Sequence, residues 1–118
     1  MSRLISSFAC AIKGVLYAIQ SGTNMKIHLL AAATAVAAGW WLKITALEWA
    51  VISMTIFFVL AAETFNSAVE TTVDLVTKER NPLAGRAKDL AAGGVLLAAV
   101  NALVVAGLIL LPKALNRL

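Results

Sequence analysis

The segment AETFNSAVETTVDL, residues 62–75, carries side chains that could hold a metal ion and a phosphate. The five that share one face of a helix are Glu63, Asn66, Ser67, Glu70 and Asp74. At about 100° per residue, they fall within an arc of about 100°. Mg²⁺ in proteins is commonly held by one or two carboxylates and completed by phosphate oxygens. The spacing therefore predicts a helix face suited to a divalent cation and the anion that accompanies it.

This face contains no lysine or arginine, whereas a solvated helix surface normally mixes both signs of charge. The opposite side of the helix is apolar and holds Phe65, Ala68, Val69, Val73 and Val76. Acidic side chains close to lipid are costly unless something compensates them, which makes them functional candidates. A second interpretation stays open: the acids pair with lysines of a neighbouring helix, such as Lys88, and only hold two helices together.

The composition is that of an integral membrane protein. Of the 118 residues, 61% are hydrophobic and 14% are charged, a balance far from that of a soluble domain. Residues 27–42, 47–62 and 90–111 are long and apolar enough to be membrane spans. The net charge of +4 includes no basic cluster interleaved with aromatic residues, so we expect no nucleic-acid binding.

Apolar periodicity and helix-start signals divide this single domain, residues 1–118, into four segments. They are an amphipathic helix within 1–22 and membrane-spanning helices over 27–42, 47–76 and 82–111. Asn81 and Pro82 form a helix start, and Pro112 is expected to end the last helix. The predicted fold is an all-α integral membrane protein with three transmembrane helices and an N-terminal amphipathic surface helix.

The last two predicted spans are longer than a bilayer requires. Segments 47–76 and 82–111 each come to about 45 Å, against a hydrocarbon core of about 30 Å. We expect an antiparallel hairpin whose connected end projects into the cytoplasm. On this scale Glu63 lies near the membrane boundary, while Glu70 and Lys88 each lie about 9 Å from the connected end.

Basic residues indicate the orientation in the membrane. With a cytoplasmic N-terminus, the inner side receives Arg3, Lys13, Lys26, Lys78, Arg80, Arg86 and Lys88, and the outer side receives Lys43, Lys113 and Arg117. This inner excess favours a multi-pass protein of the cytoplasmic (inner) membrane. Small residues throughout 91–106 allow close helix contact, as oligomerisation would require.

AETFNSAVETTVD together with PLAGRAKDLAAGGVLLAA resembles the small integral-membrane lipid kinases of bacteria, the prokaryotic diacylglycerol kinase family, which includes undecaprenol kinases. The resemblance implies a homotrimer of three-span subunits, with active sites between subunits at the cytoplasmic boundary of the membrane. It also implies ATP, bound with Mg²⁺, as phosphoryl donor and a lipid alcohol as acceptor.

The resemblance also assigns roles to individual residues. Glu63 matches the family's catalytic base and Glu70 its metal ligand. The positions that match nucleotide contacts are Arg3, Asn66, Asp74, Arg86, Lys88 and Asp89. These roles agree with the depth estimate, because a base must reach the plane of the lipid hydroxyl whereas ATP stays outside hydrocarbon. The chain lacks a Walker A loop and the protein-kinase motifs.

One position departs from the family pattern. Gly22 stands where the family usually has a second metal-ligating glutamate, and no acidic residue precedes Glu48. Water, phosphate or a polar neighbour such as Asn24 would then have to complete the metal shell. We expect a raised Mg²⁺ requirement. His28 is expected to be a hydrogen-bonded residue near a helix end rather than a ligand contact.

Two functions remain from the sequence. The first is an ATP-dependent lipid kinase, with undecaprenol favoured over diacylglycerol because TNMKIHLL and AAGGVLLAAVNALVVAGL resemble the undecaprenol-kinase branch. The second is a non-catalytic oligomeric membrane subunit or proton-relay protein that uses Glu63. ATP-dependent labelling of a lipid alcohol separates the first from the second.

Overall fold

The computed structural model describes residues 2–118, except for the side chain of Thr23. These residues form the helices α1 (Arg3–Ser21), α2 (Thr23–Leu42), α3 (Ala46–Val76) and α4 (Pro82–Arg117). Each of the four is long and apolar enough to cross a membrane. The structure therefore confirms an all-helical protein suited to a membrane.

Helices α3 and α4 form the hairpin that the sequence predicts. Asn81 caps α4, since its Oδ1 accepts hydrogen bonds from the backbone N–H groups of Leu83 at 2.9 Å and Ala84 at 3.4 Å. Two ion pairs link the helices: Lys88 with Asp74 near the connection, and Lys113 with Glu48 at the other end. Because the two pairs run in opposite chain order, the helices are antiparallel.

The last helix continues past the proline that was expected to end it. The sequence predicted an end at Leu111, but α4 includes Pro112 and runs to Arg117, so that prediction was wrong. A proline inside a helix has no N–H to donate to the carbonyl four residues earlier, here that of Leu108, at a cost of about 3 kcal/mol. Contacts of the final turns must offset this cost.

Three such contacts hold the end of α4 against the rest of the bundle. Lys113 Nζ lies 3.2 Å from a carboxylate oxygen of Glu48. Ala114 packs against a buried apolar cluster made of Leu42, Ile44 and Ile52. The guanidinium of Arg117 lies over the ring of Trp41, 5.1 Å from its centre. Tertiary contacts, which local sequence patterns do not report, therefore extend the helix.

The turn between α2 and α3 is tightly specified. Lys43 adopts a left-handed conformation, with φ 54° and ψ 55°, and ends α2. Thr45 begins α3 with a capping box: its hydroxyl accepts from Glu48 N–H at 3.2 Å, and its own N–H donates to Glu48 Oε1 at 2.9 Å. A Cβ on Gly39 would lie 2.9 Å from the Trp49 ring, so a glycine permits this close approach.

The outward faces of the helices are apolar. Exposed side chains include Phe57, Phe58, Leu96 and Leu97. On α1 the apolar residues of the predicted amphipathic side are exposed as well, including Ile5, Phe8 and Ile12, whereas Ala18 is buried. Such surfaces need lipid or protein to cover them, because large exposed apolar areas mark membrane or protein contacts.

We expect Thr45→Ala to destabilise the protein by about 1 kcal/mol, because alanine offers no oxygen to cap α3. Denaturation with SDS in mixed micelles measures the change. Thr45→Ser keeps the cap and should behave like the wild type. Thr72→Ala is a matched control, since the Thr72 hydroxyl only bonds the carbonyl of Ala68 within its own helix. Equal stability of Thr45→Ala and wild type would contradict the capping role.

Candidate active site

A polar cavity of about 320 Å³ opens between α3 and the connection from α1 to α2. It is lined by Ser21, Gly22, Asn24, Glu63, Asn66, Ser67, Glu70, Thr71 and Asp74. The five polar residues predicted to share one face of a helix all line it, which confirms that prediction. The other four lining residues are Ser21, Gly22, Asn24 and Thr71. The sequence analysis named Gly22 and Asn24, but no spacing in the sequence singled out Ser21 or Thr71.

Burial changes steeply along the α3 face. Glu63 is 2% exposed and Asn66 is 5% exposed, whereas Glu70 and Asp74 are exposed. Glu63 and Glu70 are separated by two turns, or about 10 Å along the helix. The cavity therefore has an enclosed end at Glu63 and an open end at Asp74, in the order that the depth estimate predicted.

Asn66 connects the two ends. Its Nδ2 donates to Glu70 Oε1 at 3.3 Å, while its Oδ1 is buried without a hydrogen-bond partner in the part of the chain that the structure describes. An unsatisfied buried acceptor costs about 1–3 kcal/mol. A cation, or a donor group of a ligand, placed in the cavity would remove that cost.

The lining favours cations over anions. It contains the carboxyl groups of Glu63, Glu70 and Asp74 and, among the described residues, no lysine, arginine or histidine. Within residues 2–118, no three His, Cys, Asp or Glu side chains are grouped to hold a metal by themselves. Carboxylate and amide oxygens fit Mg²⁺, whose remaining ligands are usually water and phosphate. A divalent cation would also offset the repulsion between this cavity and a nucleotide.

Lys88 lies beside the open end of the cavity but is already paired. Its Nζ donates to Asp74 Oδ1 at 2.7 Å, and the two side chains are 42% and 47% exposed. The sequence analysis placed Lys88 at the same height as Glu70. In the structure Lys88 pairs with Asp74, which lies one turn after Glu70 along α3. This pair matches the helix-to-helix interpretation, yet its exposure leaves both groups accessible to a ligand.

The other predicted nucleotide contacts lie outside the cavity. Arg3 is the first residue of α1, and Arg86 and Asp89 lie in the first turns of α4; all three are exposed. None of them belongs to the cavity lining as the described chain defines it. A single copy of the chain therefore brings together Glu63, Asn66, Glu70 and Asp74, with Lys88 at the edge.

His28 lies against the buried end of the cavity, which sequence reasoning missed. Its Nε2 is 3.3 Å from Glu63 Oε2, and neither atom has a well-formed hydrogen bond in the described part of the chain. The predicted location near a helix end is confirmed, since α2 begins at Thr23, whereas the expectation that His28 is hydrogen-bonded was wrong for Nε2. The available signal was that His28 is the chain's one histidine and lies near the start of the first predicted span, residues 27–42.

A second, apolar groove of about 650 Å³ begins at His28 and runs between α2, α3 and α4. Alanines 31, 32, 35 and 38 line it from α2, and alanines 99, 102 and 106 from α4. The hydroxyls of Thr34 and Thr55 in this lining donate to backbone carbonyls, at 2.9 and 2.7 Å. The groove thus presents an apolar wall that leads up to Glu63.

Gly22 forms the edge of the polar cavity where the resemblance calls for a glutamate. A Cβ added there would lie 2.8 Å from the carbonyl oxygen of Ala18 and 3.1 Å from the Cβ of Met25. An acidic residue at this position would require the connection between α1 and α2 to shift. Asn24 is the neighbouring polar residue of the lining.

Comparison with known proteins gives consistent matches. The profile of a family described as prokaryotic diacylglycerol kinase matches residues 9–110. The undecaprenol kinase of Bacillus subtilis is 35% identical over 96% of this chain and 92% of that protein. The diacylglycerol kinase of Synechocystis is 40% identical, over 96% of this chain and 65% of that protein. The diacylglycerol kinase of Escherichia coli K12 is 29% identical over 87% of this chain and 84% of that protein. The matched residues include the whole cavity lining.

We expect Lys88→Met to leave the melting temperature in detergent within about 2 °C of wild type, because half-exposed ion pairs contribute little to stability. Asp74→Asn should behave alike, and the double variant should show no further change. Circular dichroism on heating measures this. A drop of 10 °C or more in either single variant would instead identify the pair as a structural clamp.

Proposed function

We propose that this protein transfers the γ-phosphate of ATP to undecaprenol in preference to diacylglycerol. The chain belongs to the prokaryotic diacylglycerol kinase family and is therefore an ATP-dependent lipid kinase. One observation carries the proposal for the site. The buried carboxyl group of Glu63 lies where a polar cavity meets an apolar groove. A lipid alcohol and a nucleotide need such a junction to meet.

In the proposed mechanism Glu63 is the general base. The lipid chain lies in the groove and brings its hydroxyl to the carboxylate, which accepts the hydroxyl proton. The lipid oxygen forms a bond to the γ-phosphorus as the bond from that phosphorus to the bridging oxygen of ADP breaks. Phosphoryl transfer depends chiefly on positioning and charge neutralisation, and the enclosed end of the cavity supplies the position.

The open end of the cavity is the proposed site for the phosphates. Glu70 would hold Mg²⁺, with Asn66 Oδ1 and Asp74 as further oxygen donors in the same lining. When bound, the ion neutralises phosphate charge and so lets the nucleotide approach three carboxylates. Lys88 is a proposed nucleotide contact above it and would exchange Asp74 for a phosphate oxygen.

A homotrimer with active sites between subunits is part of the proposal. Arg3, Arg86 and Asp89 lie outside the cavity of their own chain, so their proposed contact with a nucleotide would be made in the cavity of another subunit. The exposed apolar side of α1 and the small residues of α4 leave surface for neighbouring copies and lipid. The assembly would supply the positive charge that the cavity lining of one chain lacks.

The proposed topology has three spans, α2, α3 and α4, with α1 lying on the cytoplasmic surface of the inner membrane. The amphipathic pattern of α1 supports a surface position. The excess of basic residues near the connection between α3 and α4 supports a cytoplasmic location for it. The active site then faces the cytoplasm, where ATP is available.

The preference for undecaprenol rests on two supports. The segments TNMKIHLL and AAGGVLLAAVNALVVAGL resemble the undecaprenol-kinase branch, and one relative over nearly the full length is named an undecaprenol kinase. Diacylglycerol is the acceptor that the proposal ranks second.

The direct test is transfer of ³²P from [γ-³²P]ATP to each lipid alcohol, side by side in mixed micelles. We expect a higher kcat/KM with undecaprenol. Glu63→Gln should lower kcat by about 10²–10⁴, the usual contribution of a general base, while Glu79→Gln, an exposed acid in the connection before α4, should not. Absence of labelled lipid with either acceptor would contradict the kinase, and a higher kcat/KM with diacylglycerol would contradict the preference.

We also expect Gly22→Glu to lower the Mg²⁺ concentration that gives half-maximal activity, by at least about threefold, because a second carboxylate strengthens a hard-cation site. Gly22→Ala is the matched control, since it adds the same Cβ contact with Ala18 but no ligand. Mn²⁺ binding followed by electron paramagnetic resonance gives a readout apart from activity. Equal cation dependence in the two variants would contradict the proposed metal position.

A further inference from the structure

The pair of His28 and Glu63 is buried between α2 and α3. The Glu63 side chain is 3% exposed and that of His28 is 16% exposed, and Nε2 lies 3.3 Å from Oε2. At this separation a small rotation of the imidazole would complete a hydrogen bond. The roles assigned from the family resemblance use Glu63 but give His28 none.

The two residues of the pair line different cavities of the protein. Glu63 lines the polar cavity and His28 lines the apolar groove. The contact between them therefore lies at the junction where an acceptor hydroxyl would enter. Any group that fixes the Glu63 carboxylate here also decides which of its oxygens faces the cavity.

His28 is placed to fix that carboxylate, with Nε2 3.3 Å from Oε2. Among the described residues that line the cavity or the groove, it is the one with a basic side chain. On the α3 face, the amide Nδ2 of Asn66 already donates to Glu70 Oε1. A buried carboxylate without a donor is strongly unfavourable, and the imidazole Nε2, 3.3 Å from Oε2, is in position to compensate it.

We propose that His28 is a positioning residue for the general base Glu63. Its Nε2–H donates to Glu63 Oε2, and this bond turns Oε1 toward the cavity, where Oε1 accepts the proton of the lipid hydroxyl. The inference rests on the proposed kinase function and adds a residue to it. It also assigns the tautomer, since Nε2 must carry the hydrogen.

Three substitutions of His28 separate this role from packing. Glutamine places an amide N–H at the position of Nε2, asparagine carries the same amide one carbon short, and leucine fills space without a donor. We expect His28→Gln to keep kcat within about threefold of wild type. His28→Asn and His28→Leu should lower kcat about tenfold to a hundredfold, the value of one hydrogen bond to a charged group, with KM for ATP unchanged.

Rescue by glutamine but not asparagine is the result that a packing role does not produce. If His28→Gln is as slow as His28→Leu, or if His28→Leu keeps the wild-type kcat, the proposal is overturned. If His28→Leu raises KM for the lipid and leaves kcat unchanged, the proposal is also overturned, because the imidazole would then only contact the lipid chain. Melting temperatures in detergent identify unfolding, and His28→Asn, which keeps a polar group, gives the answer if leucine prevents folding.

A double-mutant comparison tests whether His28 acts through Glu63. In a Glu63→Gln background, His28→Leu should change the residual kcat less than twofold, since the carboxylate that it positions is gone. A further tenfold loss in that background would overturn the proposal. Wild-type protein that labels no lipid alcohol would refute the proposed function itself. Wild-type activity that is insensitive to His28 would refute only the positioning role.

Discussion

The site depends on one constraint: a carboxyl group must stay buried at the point where a polar cavity ends and an apolar groove begins. Glu63 satisfies this constraint because the polar side of α3 faces the connection between α1 and α2. The walls of the groove are mostly alanine and other apolar residues. Such burial is unfavourable without a partner. His28 and the polar cavity provide the surroundings in which it can be maintained.

The rest of the fold sets the position of that carboxyl group. The antiparallel α3–α4 hairpin is held at one end by the pair of Lys113 and Glu48, and by Ala114 of α4, which packs against the apolar cluster that includes Ile52 of α3. From Glu48 to Asp74, α3 is a continuous helix of about 39 Å. A sliding of α3 against α4 would break these contacts, so the polar face keeps its height. The capping box at Thr45 fixes where α3 begins.

Sequence patterns could predict what lies along one helix but not what lies across from it. The spacing of Glu63, Asn66 and Glu70 determines a shared face by helix geometry alone, and the cavity confirms it. The contact of His28 with Glu63 joins two helices, and no periodicity reports how they are rotated against each other. Likewise, local sequence rules predict that a helix ends at Pro112, whereas contacts with distant parts of the chain extend α4 to Arg117.

The central claim is that the acceptor's chain lies in the groove and its hydroxyl end reaches Glu63. Photo-crosslinking with an undecaprenol analogue that carries a diazirine in its chain, mapped by mass spectrometry, tests it most directly. The account predicts adducts on the groove walls, within residues 31–38 of α2 and 99–106 of α4. Adducts confined to outward side chains such as Phe57, Phe58 and Leu97 would contradict it.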